Sequence, residues 1–459
     1  MAEKTRTKRS LWNIFENFEG DNVVWMIVLL LMLISVVCMF SSTSSLVGRG
    51  IEQSRINVVK DQIFLVAAGL LVIIAVYNIR NLAVIRWLSK LGFIVSFLLL
   101  LILVAKLNIG SFIKSGGFND ANRIIKVGGI QVHVFEIVKV SMIMYFAWAM
   151  DALKRGKLGG PEKPAWKKIL YIYAPFAIIF VMVLSGGNSS AIIIGGMMFI
   201  IIAIGGGDFK DLAILIGAGV LILGLSYGAY KLSDGKIMGR IGTGVSRLFE
   251  KTDWEEIANT SRPGSAEWYD AIDEIRQPYS AKIAIREGGF FGKGPGQSTQ
   301  RYVVSNMPED YMYSFIIEEY GILGGMVVLM LYISLLARGS LIVRHCGKEL
   351  FPKLAAAGLI MLIVLQAFLH MFVNCDIGPM TGQTLPLISN GASAFLCFCM
   401  AFGIILSVSR YASKKMKKEQ MQAAPLVERE EIKHELDALD DFESGKVIDD
   451  EIIDQDYDL

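Results

Sequence analysis

Four stretches of this chain hold no Asp, Glu, Lys or Arg: Asn22 to Gly48, Ile169 to Gly207, Leu354 to Cys375 and Ile377 to Ser409. Charged residues make up 19% of the 459 positions, so runs of this length would be rare by chance. Each run exceeds the roughly 20 apolar residues that carry a helix across a bilayer core. In lipid a helix satisfies its own backbone hydrogen bonds, which a loop or an open sheet edge does not. With 53% hydrophobic residues, the pattern excludes a soluble enzyme built around one large core and predicts an all-α polytopic membrane protein.

Apolar windows place ten transmembrane helices, at about 23 to 41, 62 to 79, 84 to 105, 132 to 150, 169 to 185, 190 to 206, 212 to 231, 311 to 337, 354 to 373 and 392 to 409. Lys and Arg concentrate in cytoplasmic loops, so their distribution orients the chain. With the N-terminus in the cytoplasm, the inner segments hold 23 of these residues and the short outer loops seven. Both termini are therefore expected in the cytoplasm. The organisation that follows is a basic N-terminus at 1–22, a membrane domain at 23–410 and a cytoplasmic tail at 411–459. A large extracytoplasmic loop, 232–309, lies between helices 7 and 8 and carries mixed charge. After Lys418 the tail has 15 acidic and three basic residues, the composition of a disordered, solvated segment, with a short helical pattern around Glu428 to Leu439.

A net charge of +2 argues against nucleic acid, which calls for a clustered basic surface. Cys38, Cys346, Cys375, Cys397 and Cys399 form neither a disulfide framework nor a zinc spacing. The basic start, Lys4 to Arg9, precedes an apolar stretch too long for a cleaved signal, so the first span is expected to stay as an anchor.

Ionisable side chains within spans are costly and mark a function or an interior pair. Glu136 and Lys139 lie three apart on the fourth span and share a helix face. A structural ion pair and a functional one fit them equally. At 1.5 Å per residue, Glu136 sits roughly 6 Å below the outer surface. The eighth span begins near Asp310 and carries Glu318 and Glu319, read as acceptors of hydrogen bonds from a neighbouring helix. Asp310, Glu136, Arg123, Lys126 and the loop Asn374 to Gly391 converge on the outer face. A transporter would show midplane polar residues and paired broken helices in two repeats, and no internal repeat is evident.

The Asn374 to Gly391 loop has two prolines and three glycines, which forbid a continuous helix, so its backbone must be satisfied by protein or by a wet cavity. The run Gly288 to Ser298 is glycine-rich but is no phosphate loop, because Lys293 is followed by Gly294 instead of Ser or Thr. His133 has no metal-binding partner by spacing.

At these residues the chain resembles the shape, elongation, division and sporulation (SEDS) family of bacterial peptidoglycan glycosyltransferases, with FtsW and RodA among its members and FtsW the nearer. The likeness spans about residues 20 to 410. Pro379-Met380-Thr381-Gly382 followed by Leu385-Pro386-Leu387-Ile388-Ser389-Asn390-Gly391 is similar to the family's Pro-x-Thr-Gly, Leu-Pro and Ser-x-Gly-Gly signature. Ala121-Asn122-Arg123 and the pair Glu136 and Lys139 resemble Ala-x-Arg-Trp and Gln-Pro-Ser-Glu-x-x-Lys. Glu318-Glu319-Tyr320-Gly321 resembles Glu-Glu-x-Gly, whose essential aspartate stands eight positions before the first Glu, here Asp310. The chain departs from the pattern at Ile124, at His133-Val134-Phe135, at Gly187 where an aspartate is usual, at Tyr311 for Phe and at Ala392.

The resemblance implies polymerisation of lipid II into glycan strands: an acceptor sugar hydroxyl attacks the donor's anomeric carbon and undecaprenyl diphosphate leaves. It makes Asp310 the catalytic base, a role suited by a partly desolvated position, because burial raises a carboxylate pKa. Arg123 would offer a bidentate fork to the diphosphate, with Lys126 or Lys139 as point charges. Glu136, Thr381 and Ser389 complete the implied substrate-binding set. A divalent cation such as magnesium or manganese would share the leaving-group task, with no resident metal site read from the sequence. The implied partners are membrane lipid, a class B penicillin-binding transpeptidase and other division proteins, and the implied location is the cytoplasmic membrane during division. A lipid II flippase and a non-enzymatic division scaffold are the competing readings.

Overall fold

The computed structural model describes residues 20–42, 55–106, 113–118, 121–127, 130–233, 254–304, 307–378, 381–423 and Lys433. The chain opens with α1 (Asn22–Ser42), α2 (Arg55–Tyr77) and α3 (Leu82–Val104). Strands β1 (Ile113–Phe118), β2 (Ala121–Val127) and β3 (Ile130–His133) follow. Next come α4 (Val134–Lys154), α5 (Pro164–Gly186), α6 (Asn188–Ile204) and α7 (Phe209–Leu232). The long loop contributes α8 (Trp254–Thr260) and α9 (Ala266–Gly288). A short α10 (Met307–Asp310) leads into α11 (Met312–His345), α12 (Leu350–Asn374) and α13 (Ala392–Ala423).

Each predicted window coincides with one of the long helices. Eight are long and apolar enough to cross a membrane, α6 is shorter at 17 residues, and α4 carries Glu136 and Lys139. The chain is a multi-pass, mainly helical membrane protein. α4, α12 and α13 are mostly enclosed by the protein, whereas α7 buries only Leu215 and Ser226. Small residues let the backbones approach. A Cβ at Gly358 of α12 would stand 2.7 Å from Ile143 of α4, and one at Gly69 of α2 would stand 2.6 Å from Cys399 of α13. Asp21 starts the bundle, accepting the Val23 and Val24 N–H groups at 3.0 and 3.2 Å and pairing with Arg338 of α11 at 2.7 Å.

Four features differ from expectation. The segment expected to be plain loop before α4 holds an antiparallel sheet in the order β1-β2-β3, with Lys126 opposite both Lys114 and Gln131. β3 runs directly into α4, and the His133 N–H donates to Ser393 Oγ of α13 at 3.1 Å. The long loop lays the charged helix α9 along α11. Span eight is interrupted where continuity was expected: Tyr311 (φ −123°, ψ 26°) separates α10 from α11, and Gly321 (φ 71°, ψ −176°) breaks α11 itself. Finally, α13 continues to Ala423, beyond the expected limit of the membrane domain at 410. The helical pattern around Glu428 to Leu439 lies outside the described residues apart from Lys433.

Candidate functional site

Between α12 and α13 the chain turns back into the protein. Pro379 and Met380 lie outside the described residues, but from Thr381 onwards the path is set by hydrogen bonds that replace a helix's own. Gln383, Leu385, Leu387, Ile388 and Ser389 are buried. Leu385 N donates to Ser389 Oγ at 2.9 Å, and the Ile388 and Ser389 amides return to the Leu385 carbonyl at 3.1 and 3.0 Å. Tyr332 of α11 donates to the Pro386 carbonyl at 2.5 Å, and Ser35 of α1 to that of Ile388 at 3.0 Å. The loop is thus tied to two spans, α1 and α11. Ser389, expected among substrate contacts, has its hydroxyl engaged in closing this turn.

Asp310 ends α10 beside the loop. The Asn390 N–H donates to the Pro308 carbonyl at 2.8 Å, joining the two segments. Gly382, at φ +57°, passes so near that a Cβ built there would lie 3.9 Å from Asp310 Oδ2. Asp310 is part-exposed, and its carbonyl accepts from Asn374 Nδ2 at 3.0 Å. Thr381, one residue from Gly382, has a buried hydroxyl with no hydrogen-bond partner among the described residues. Glu309 is solvent-exposed by area yet surrounded by protein mass. Its pKa lies above the ordinary glutamate value, first from desolvation and then from the charge of Asp310.

Lys139 is buried, with Nζ 2.7 Å from Glu136 Oε1, 2.7 Å from Gln366 Oε1 and 3.0 Å from Gln383 Oε1. Its ammonium has three N–H donors, so all are engaged. Lys139 therefore grips the loop through Gln383 and has no proton left for a diphosphate. Lys126 is exposed on β2, and Arg123 lies on the same strand with its side chain outside the described residues.

Glu318 and Glu319 were expected to serve a neighbouring helix. Glu318 instead holds the glycine-rich segment: Oε1 accepts from Thr299 N at 2.8 Å and Lys293 Nζ at 2.9 Å, and Oε2 from Ser298 Oγ at 2.5 Å. Glu319 accepts from Ser41 of α1 at 2.5 Å and from Ser298 N at 3.3 Å. Burial lowers the Lys293 pKa, but its bonds to Glu287 and Glu318 more than offset that and hold it above the ordinary value. The segment's backbone pairs with the break in α11, with Lys293 N to the Glu318 carbonyl and Ile322 N to that of Gly289, both at 2.9 Å. A Cβ at Gly292 or Gly321 would meet backbone oxygen at 2.3 or 2.2 Å, so this contact needs glycine on both sides.

Sequence reasoning missed the neutral residues of α12. Gln366, His370 and Asn374 recur every fourth position and so stack on one face of the helix. That stripe inside an apolar window was the available signal. Among the described residues no group of three or more His, Cys, Asp and Glu side chains could hold a metal ion. Asp310 and Glu309 therefore do not by themselves build a divalent-cation site.

The family described as "Cell cycle protein", FtsW/RodA/SpoVE, matches residues 21–414. The chain belongs to this family. It is 25% identical over 396 residues to stage V sporulation protein E of Bacillus subtilis, covering 85% of this chain and 97% of that one. It is 26% identical to the probable peptidoglycan glycosyltransferase FtsW of Halothiobacillus neapolitanus, over 87% of this chain and 88% of the relative. Among solved structures, it resembles a chain of a peptidoglycan synthase complex that coordinates polymerization and crosslinking. That match has a TM-score of 0.59 at 18% identity, covering 85% of this chain and 98% of the other. Rod shape determining protein RodA of Thermus thermophilus matches with a TM-score of 0.53 at 17% identity, over 85% and 97% of the two chains. Both structures share the fold described above.

Proposed function

We propose that this chain is a peptidoglycan glycosyltransferase that polymerises lipid II at the outer face of the cytoplasmic membrane, with Asp310 as its general base. The observation that carries this reading is the placement of the Asp310 carboxylate against Gly382. One part-exposed acid thereby stands beside the loop just before α11, and Thr381, whose hydroxyl has no partner among the described residues, adjoins Gly382 in the chain. A base there accepts the proton of the acceptor sugar hydroxyl as its oxygen attacks the anomeric carbon of the donor. The bond from that carbon to the diphosphate oxygen breaks, and undecaprenyl diphosphate leaves. General-base assistance of this kind contributes about 10²- to 10⁴-fold.

The cationic task falls to Arg123 and Lys126 on β2, because Lys139 is fully engaged within the protein. Thr381 would turn its hydroxyl to a substrate oxygen. Glu136 acts through Lys139, which orients Gln383. Both substrates are anchored by lipid tails, so sugars held just outside the bilayer meet this end of the bundle, which the loop charges assign to the exterior with both termini inside.

The similarity to a synthase-complex chain supports a class B penicillin-binding transpeptidase as partner, and the FtsW relatives support a role in division. A flippase would need a polar route through the full bilayer, whereas the unusual polar residues gather at the Asp310 end. Reconstitution of the purified protein with labelled lipid II tests the reading. Polymer supports the transferase, translocation without polymer identifies a flippase, and neither identifies a scaffold. Depletion in cells is expected to give filaments, and round cells would remove the division assignment.

A further inference from the structure

We propose that His370 is a positioning residue for the transfer reaction, tying the loop at 381–391 to the first turn of α11 and thereby setting where Asp310 stands. The inference rests on the functional reading above and extends it to a residue within α12. His370 is buried, and both ring nitrogens are in use. Nδ1 lies 2.7 Å from the Gln383 carbonyl oxygen, and Nε2 accepts the Tyr313 N–H at 3.3 Å. A carbonyl oxygen only accepts and an amide N–H only donates, so these partners select the neutral ring with its proton on Nδ1.

A buried histidine satisfied on both sides is commonly a packing residue. The location of these two partners argues for more. Gln383 adjoins Gly382, the residue beside the Asp310 carboxylate, and Tyr313 follows Asp310 by three positions. The first-turn N–H groups of a helix have no intrahelical acceptor. In α11 the N-cap residue Tyr311 supplies no side-chain acceptor. α12 does so: His370 takes Tyr313 N, and Asn374 Oδ1 takes Ser314 N at 2.9 Å. Asn374 also holds the Asp310 carbonyl at 3.0 Å, while its Nδ2 reaches the His370 carbonyl at 2.8 Å. From the other side Lys139 grips the Gln383 side chain at 3.0 Å. His370 is therefore the direct side-chain link between the loop and the start of the helix next to Asp310. Without it the first turn of α11 can fray, and Asp310, two residues before the start of α11, moves relative to Gly382.

The test uses the purified full-length protein. His370→Phe keeps the ring and removes both bonds, His370→Asn retains a donor near Nδ1, and His370→Gln retains an acceptor near Nε2. Initial rates of lipid II polymerisation are measured against lipid II concentration, per folded protein, with Asp310→Asn as reference. A misplacement of about 1 Å costs on the order of 10²-fold in rate. The Phe variant is expected to lose about 10- to 100-fold in kcat with KM changed less than about twofold, and the Asn or Gln variant to regain most of the loss. A Phe variant with wild-type kcat beside an inactive Asp310→Asn overturns the role of His370 and leaves the functional reading standing. A loss that only tracks the folded fraction, unrelieved by Asn or Gln, reduces His370 to packing and also overturns it. A wild-type protein that makes no polymer overturns both.

Discussion

Replacing Lys139 by Met keeps the aliphatic stem and deletes the ammonium that three acceptors share. The carboxylate of Glu136, 2.7 Å away, then stands without its partner, and its side chain is only 15% exposed, so water recovers little of the lost interaction. Removing one member of a buried pair typically costs about 3 to 5 kcal/mol. The amide oxygens of Gln366 and Gln383, at 2.7 and 3.0 Å, lose a charge-assisted donor at the same time. The residual exposure of Glu136 pulls the figure down and the two amides push it up, so about 4 kcal/mol is expected. Adding Glu136→Gln removes the uncompensated charge and is expected to restore about 2 kcal/mol, which makes the two substitutions strongly non-additive. Unfolding in mixed micelles, followed by tryptophan fluorescence for wild type, both single variants and the double variant, gives all four corners of the cycle. Lys139→Met within about 0.5 kcal/mol of wild type, or strict additivity in the double variant, would show that the pair is solvated and incidental.

Glu309→Gln should retain most polymerising activity, because Glu309 lies outside the contact between Asp310 and Gly382. The Asp310 charge helps to raise the Glu309 pKa, and such repulsion is mutual, so the acid limb of the pH–rate profile should move to lower pH in this variant. A shift to higher pH, or a dead enzyme, would contradict this placement. Gly292→Ala drives a Cβ to 2.3 Å from the Glu319 carbonyl oxygen at a φ of +81°. It should lower the unfolding midpoint by several degrees and loosen the long loop to proteolysis, whereas Gly296→Ala, with no atom within 4 Å of its Cβ, should retain the clamp at about 1 kcal/mol of left-handed strain.

The spans were legible because lipid leaves so few alternatives: apolar windows forced the helices, and each appears where expected. The strands escaped because Arg123-Ile124-Ile125-Lys126-Val127 is short and lacks strict alternation, so it does not separate from a loop. Asp310 is singled out by counting back from Glu318, and the interruption at Tyr311 neither adds nor removes a residue from that count. What the count does not show is that the first turn of α11 is held from outside by His370 and Asn374. Those two residues and Gln366 are neutral, so they read as part of an apolar window. Only packing against the returning loop reveals their acceptors. The glycine run reads in sequence only as no phosphate loop, and its use as a backbone clamp needs the Gly321 break to be visible.

The most direct test of the account is polymerisation of lipid II by purified Asp310→Asn beside wild type, with insertion and transpeptidase binding measured on the same preparations. Asparagine keeps the size of the side chain and removes its basicity. A Cβ built at Gly382 would stand 3.9 Å from Asp310 Oδ2, so a side chain of the same size fits the space beside the loop. The account predicts a protein that inserts and binds its partner normally and has lost polymerisation by about 10²-fold or more. Strand synthesis at the wild-type rate by Asp310→Asn would contradict it.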